Sequence, residues 1–152
     1  MKIYTNKLTD PNTQIRLGVG VIIARNEGEI LLEKRSDNGL WGLPGGSVVP
    51  GESVINAAVR EVKEETNLDI CITGMLGVYS DPADSRIVRY PDNVVHLVDC
   101  IFKAKIISGK LQMSHESLDL RFFFQKDFPV DIAPPAIQVI QDYFEGKSVV
   151  FC

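Results

Sequence analysis

At 152 residues, 45% hydrophobic and 24% charged, the chain has the size and composition of one soluble globular domain that can bury a core. A net charge of −4 without a basic run argues against a nucleic-acid or membrane-surface binder. No apolar run reaches transmembrane length, the first residues lack a signal-peptide core, and Cys71, Cys100 and Cys152 fit no zinc or redox spacing, a pattern expected of buried or inert thiols in a reducing cytoplasm.

Residues 1–15 are polar and read as an arm or part of a dimer contact. Leu17 to Ala24 is rich in Val and Ile and reads as a strand, and Ile30 to Lys34 as a second. The turn Asn26-Glu27-Gly28-Glu29 would join them as a hairpin. A loop over Ser36 to Gly42 leads through Leu43-Pro44 into glycines. A helix is expected from about Ser53, its N-cap, to Thr66. Ile55, Val59, Val62 and Thr66, with Ala58 beside them, make its expected buried stripe. Ile70 to Tyr79 reads as a strand interrupted at Gly74, Ser80 to Asn93 as a long functional or mobile loop. Strands follow over Val94 to Ile106 and Leu120 to Phe124. Pro134-Pro135 opens a last helix with Ile137, Ile140, Tyr143 and Phe144 on its apolar side. Helices and a mixed sheet together give an α/β sandwich.

Glu61, Glu64 and Glu65 stand at i, i+3 and i+4 and so share one face of the first helix. Like charges at this spacing repel and destabilise a helix. The cost makes sense if a cation sits among them, and hard divalent ions such as Mg²⁺ take oxygen ligands. Ala57 lies beside Glu61 and Glu64 and is small enough to leave room for a phosphate. The bland alternative is a solvated acidic face.

Residues 46–68 resemble the Nudix box, the signature of the Nudix hydrolases. Gly46 starts the pattern, Glu52 follows after five residues, and Arg60-Glu61 after seven more. Val62 is the aliphatic, Glu64-Glu65 the acidic pair, and Leu68 the closing aliphatic. Asn67 stands where the family has Gly; a helix end there needs a left-handed backbone, which Asn tolerates best after Gly. The resemblance implies a Nudix-type α/β/α sandwich with a central mixed sheet, built as a single domain over 1–152. It implies a pyrophosphohydrolase that uses Mg²⁺, or Mn²⁺, and a water nucleophile. Its substrate would be a nucleoside diphosphate linked to another group; nucleic acid and membrane are not expected partners, and a homodimer is open.

By matching position, Glu61, Glu64 and Glu65 are the implied metal ligands and catalytic carboxylates, with the Gly45 carbonyl completing the shell. Glu52 and Arg60 would brace the loop begun at Gly46 against the helix. Family members place the general base either in the box or on a later loop; Glu116 is the loop candidate, ahead of Asp119. Arg35, Trp41 and Tyr90 are the candidate substrate contacts: one cation for phosphate, two rings for a base. Lys34 and Arg35 face opposite ways on a regular strand, so at most one reaches the substrate. His96 and His115 match no metal spacing. Pro82 falls near the place where ADP-ribose-specific members carry a proline, which favours ADP-ribose or another nucleoside diphosphate sugar. The alternatives are clearance of modified nucleoside triphosphates and a non-catalytic nucleotide sensor.

Overall fold

The computed structural model describes residues 2–5, 10–26 and 28–151. Glu27, Cys152 and part of the polar 1–15 segment lie outside the described residues. In chain order the strands are β1 (Ile3–Thr5), β2 (Gln14–Arg25), β3 (Glu29–Arg35), β4 (Trp41–Gly42) and β5 (Gly45–Ser47). Helix α1 (Val54–Thr66) precedes β6 (Asp69–Tyr79), β7 (Ile87–Arg89), β8 (Val94–Ser108) and β9 (Ser117–Phe123). Helix α2 (Pro134–Phe144) and β10 (Val150–Phe151) follow.

The expected hairpin forms: β2 and β3 pair antiparallel at Ala24–Ile30 and Arg25–Glu29. β2 also pairs in parallel with β8 from Gln14 to Ile23, while β6 and β7 run antiparallel to β8. The sheet is therefore mixed, as expected. β1 adds to β7, so Ile3–Thr5 of the polar segment is built into the sheet. β5 lies on the other side of β2, and β9 and β4 flank β3. The interruption read at Gly74 is a register shift between Ile72 and Gly74.

The sheet is buried on both faces, which explains the apolar run of β2 and β3. Val19, Val21, Ile23 and Leu31 face α1. Ile22, Ile30 and Leu32 face α2 through Val139 and Ile140. Side chains two apart share a face and neighbours oppose, so one strand feeds both cores.

Several local expectations change. Ile55 and Val59 are exposed, and the buried face of α1 is Ala57, Ala58, Val62, Glu65 and Thr66. The alanines let the helix lie close to β2, and Glu65 is drawn inward because its carboxylate accepts from the Gly45 N–H at 3.1 Å. Ala57, expected to leave space for a phosphate, is instead fully buried in the core. On α2, Ile137 is exposed and Asp142 is buried, taking hydrogen bonds from Tyr79 Oη at 2.8 Å and Gln138 Nε2 at 2.8 Å. The segment read as a loop from 80 to 93 holds a 3-10 turn (Pro82–Asp84) and β7, with Ile87 and Val88 buried. Cys71 is exposed rather than buried, and Cys100 is partly buried.

The ends of α1 behave as read. Ser53 Oγ accepts from the Asn56 N–H at 3.1 Å. Asn67 takes φ 64°, donates its backbone N–H to the Lys63 carbonyl at 3.0 Å, and donates Nδ2–H to the Lys110 carbonyl at 2.9 Å. An L-residue in the left-handed region costs roughly 1–2 kcal/mol, a cost Asn and Gly largely avoid. Asn67→Ala should therefore lower unfolding stability by about 1–2 kcal/mol in urea titration, while Asn67→Gly should change it far less. Equal losses for the two would refute the left-handed explanation.

Candidate active site

Arg60 is the hub of the α1 acidic face. Its Nε and Nη2 donate to the two Glu52 oxygens at 3.0 and 2.7 Å, and Nη2 also donates to the Ser47 carbonyl at 3.1 Å. Its Nη1 donates to Glu61 at 2.9 Å and lies 3.3 Å from Glu64 Oε2. The pair forked from Glu52 to Arg60 thus ties the loop after β5 to the helix. Glu52 also accepts from the Val49 N–H at 2.9 Å. The Arg60 hydrogen bonds, helped by Val49, hold the Glu52 carboxyl at about 2.

The three helix carboxylates differ in setting. Glu64 is exposed and Glu65 buried, with Glu61 between them. Glu61 packs on Gly46: a Cβ on Gly46 would come within 2.5 Å of the Glu61 carboxyl carbon, so any larger residue must displace the carboxylate. Burial raises the Glu61 pKa, with Arg60 opposing and Glu64 and Glu116 adding repulsion. Burial also raises Glu65, and the nearby Glu33 pushes it further.

Glu33 was not among the sequence candidates. It is 1% exposed, accepts from Ser117 Oγ at 2.6 Å, and its Oε2 is buried with no hydrogen-bond partner. A lone acid closing the buried run Ile30-Leu31-Leu32 was the available signal. Among the described residues no three acidic, His or Cys side chains are already gathered around one point; Arg60 draws Glu61 and Glu64 to itself. The donor chemistry nonetheless fits a divalent cation: all-oxygen side chains, mutual repulsion, and an orphaned buried carboxylate oxygen beside Glu65.

The acidic face adjoins a cleft of about 250 Å³ on the α2 side of the sheet. Gly45 and Gly46 form its border with the helix, and Arg16, Arg35, Arg86, Tyr90 and Asp99 help line it. Of the three sequence candidates for substrate contact, the structure brings Arg35 and Tyr90 to this cleft. Arg35 donates to Asp37 at 3.1 Å, and Lys34 turns away towards Asp131. Tyr90 accepts a hydrogen bond from Arg16 Nη1 at 3.2 Å, and that guanidinium also sits 5.5 Å from the ring centre. Trp41 does not join them. Its ring is buried edge-on against Phe123, 5.0 Å between centroids, and serves the core. Glu116 is exposed on the loop before β9, anchored by its carbonyl to the Ser36 N–H at 2.9 Å, and its charge is felt at Glu61. Asp119 pairs with Arg121 at 2.7 Å. His96 is held by the Ser80 carbonyl at 2.6 Å, and His115 stands in solvent.

The model of the NUDIX domain matches residues 14–143. The chain belongs to the Nudix hydrolase family. A "Putative 8-oxo-dGTP diphosphatase" of Bacillus subtilis is 49% identical over 88% of this chain and 83% of its own length. An "ADP-ribose pyrophosphatase" of Methanocaldococcus jannaschii is 36% identical over 83% of this chain and 72% of its own. Among solved structures, a MutT Nudix hydrolase from Burkholderia pseudomallei superposes with TM-score 0.71 at 29% identity, covering 85% of this chain and 98% of that one. A Nudix hydrolase from Nitrosomonas europaea gives 0.69 at 26% identity, over 90% and 76%. No described helix of this Nudix chain is long and apolar enough to cross a membrane.

The Glu52 brace has a pH signature. Its folded pKa lies below the usual 4.5, so the stability it supplies is present above 4.5 and is lost as pH falls towards about 2. Glu52→Gln should flatten that part of the acid limb in urea midpoints measured against pH. An unchanged limb would show that the Arg60 pairing contributes nothing to stability.

Proposed function

We propose that this chain hydrolyses a phosphoanhydride in a nucleoside diphosphate linked to another group, with Mg²⁺ or Mn²⁺ as cofactor. The observation that carries the reading is the shared border at Gly45 and Gly46: the carboxylate face of α1 lies on one side, the Arg-lined cleft on the other. Glu61, Glu64 and Glu65, with the Gly45 carbonyl, would hold the metal, and Glu33 lies next to Glu65. When bound, such an ion lowers the pKa of water, polarises phosphoryl oxygens and stabilises the leaving oxygen.

The chain's own residues supply the rest. Arg35 faces the cleft close enough to feel the Glu65 charge, which suits a phosphate lying between the two. Glu116, an exposed carboxylate whose charge is felt at Glu61, accepts the proton of the attacking water. Tyr90, with Arg16 and Lys2 over its ring, contributes an aromatic edge of the cleft against which a base packs.

ADP-ribose or another nucleoside diphosphate sugar is the leading substrate class, supported by the archaeal relative's name. Pro82, the residue behind that expectation, opens the 3-10 turn and is not among the residues lining the cleft. The Bacillus relative, at higher identity, favours modified nucleoside triphosphates as a second reading. Purified protein given ADP-ribose, nucleoside diphosphate sugars and triphosphates with Mg²⁺ or Mn²⁺ separates the two. Faster turnover of triphosphates would reject the sugar reading.

A nucleotide sensor without hydrolysis is disfavoured because every box carboxylate is present. Glu64 is exposed and outside both cores, so Glu64→Gln should leave the melting curve intact while lowering kcat on the order of 100-fold or more. Full activity in that variant would remove Glu64 from the site.

A further inference from the structure

The hydrolytic reading leaves one charged pair in the cleft unused. Arg86 is 1% exposed, and its Nη1 donates to Asp99 Oδ2 at 2.5 Å. Its Nη2 donates to the Pro135 carbonyl at 2.7 Å, and its Nε is buried with no hydrogen-bond partner. Asp99 is also a cleft residue, and its other oxygen, Oδ1, lies against Gly18, where a Cβ would approach within 2.3 Å. Desolvating such a pair costs several kcal/mol per ion, and a well-packed apolar pair is often as stable. The pair therefore offers little to folding that leucines would not, and its unused donor and acceptor both belong to a cleft-lining unit.

The sheet gives the pair a place along a bound nucleotide. At Asp99 the strands run β5, β2, β8, with Ser47, Gly18 and Asp99 in register, and β7 pairs with β8 three to five residues earlier, at Val94–His96. Neighbouring strands are about 4.8 Å apart with a rise of about 3.3 Å per residue, so Asp99 lies roughly 10 Å across from β5, and β7, which leads into Tyr90, is one strand further across and roughly 10–17 Å back along β8. A nucleoside diphosphate with its phosphates at Gly45 and Arg35, laid obliquely over β2 and β8, brings its sugar to Asp99 and directs its base towards the side of the cleft that Arg16 and Tyr90 line. Gly18 and Gly20 both line that middle stretch of the cleft.

We propose that Asp99, braced by Arg86, is a subsite for the sugar hydroxyls and makes the enzyme select ribonucleotides over 2′-deoxyribonucleotides. The inference rests on the substrate class proposed above. A carboxylate oxygen accepts from a ribose hydroxyl, and the Arg86 Nη1 hydrogen bond to Oδ2 leaves Oδ1 to do so. A deoxy sugar leaves that oxygen desolvated and unpaired, which is how a site built around a hydroxyl rejects the analogue lacking it.

Matched pairs test this: ADP against dADP and GDP against dGDP by calorimetry, and the corresponding triphosphates in turnover. The wild-type protein should prefer the ribo form roughly ten- to a hundred-fold in Kd, the range for a hydrogen bond to a charged group. Gly18→Ala, which displaces Oδ1 without altering any charge, should bring the ratio to about one. Asp99→Asn should reduce it; if that variant misfolds by circular dichroism, the wild-type ratio and Gly18→Ala still decide. Equal wild-type affinities for ribo and deoxy forms overturn the subsite, as does a preference that survives Gly18→Ala, or no nucleotide binding at all. Turnover without ribo preference sinks this inference and leaves hydrolysis standing. A ribo preference in binding without turnover does the reverse.

Discussion

Repulsion among the carboxylates of α1 is the constraint around which the molecule is arranged. Glu61, Glu64 and Glu65 share a face, and Glu33 joins them from β3. Arg60 relieves part of the strain by reaching Glu52, Glu61 and Glu64 at once, and the Gly45 N–H relieves another part at Glu65. Arg60, with Arg35 near Glu33 and Glu65, still leaves five acids facing two cations. What remains is an oxygen-rich, under-compensated corner, the condition under which a divalent ion binds favourably.

The two-faced sheet brings that corner up against the cleft. Because β2 sends alternate side chains to α1 and α2, the acidic helix and the cleft lie on opposite faces. β5 is short and pairs with β2 at Gly18, Val19 and Gly20, so the layers are thin where the two meet. Gly46 faces Glu61 across this border, and Gly45 and Ser47 line the cleft. On the proposed function, a phosphate at this border lies between the carboxylates and Arg35, an arrangement that no single face of the sheet could provide.

Much of this was legible in sequence. The β2–β3 hairpin, the caps of α1, the left-handed Asn67 and the Glu52–Arg60 tie follow from local chemistry: turn residues, side-chain acceptors and fixed spacing. The expected stripe of α1 missed because periodicity places a hydrophobic face only to within a residue or so, and here Glu65 was pulled inward by a backbone N–H from a distant strand. Trp41 failed as a base-stacking residue for a similar reason. An aromatic beside a glycine loop can face a cleft or a core, and Phe123, more than eighty positions later, supplied the core.

Residue identities at set gaps along one loop and the helix after it therefore determined the family, the acidic face and the Glu52–Arg60 tie, because these depend on neighbours within a few residues. Glu33 beside Glu65, Arg86 on Asp99, and Arg16 against Tyr90 were decided only by the folded chain. Their partners lie between 13 and 74 positions apart, and strand order and register alone brought them together.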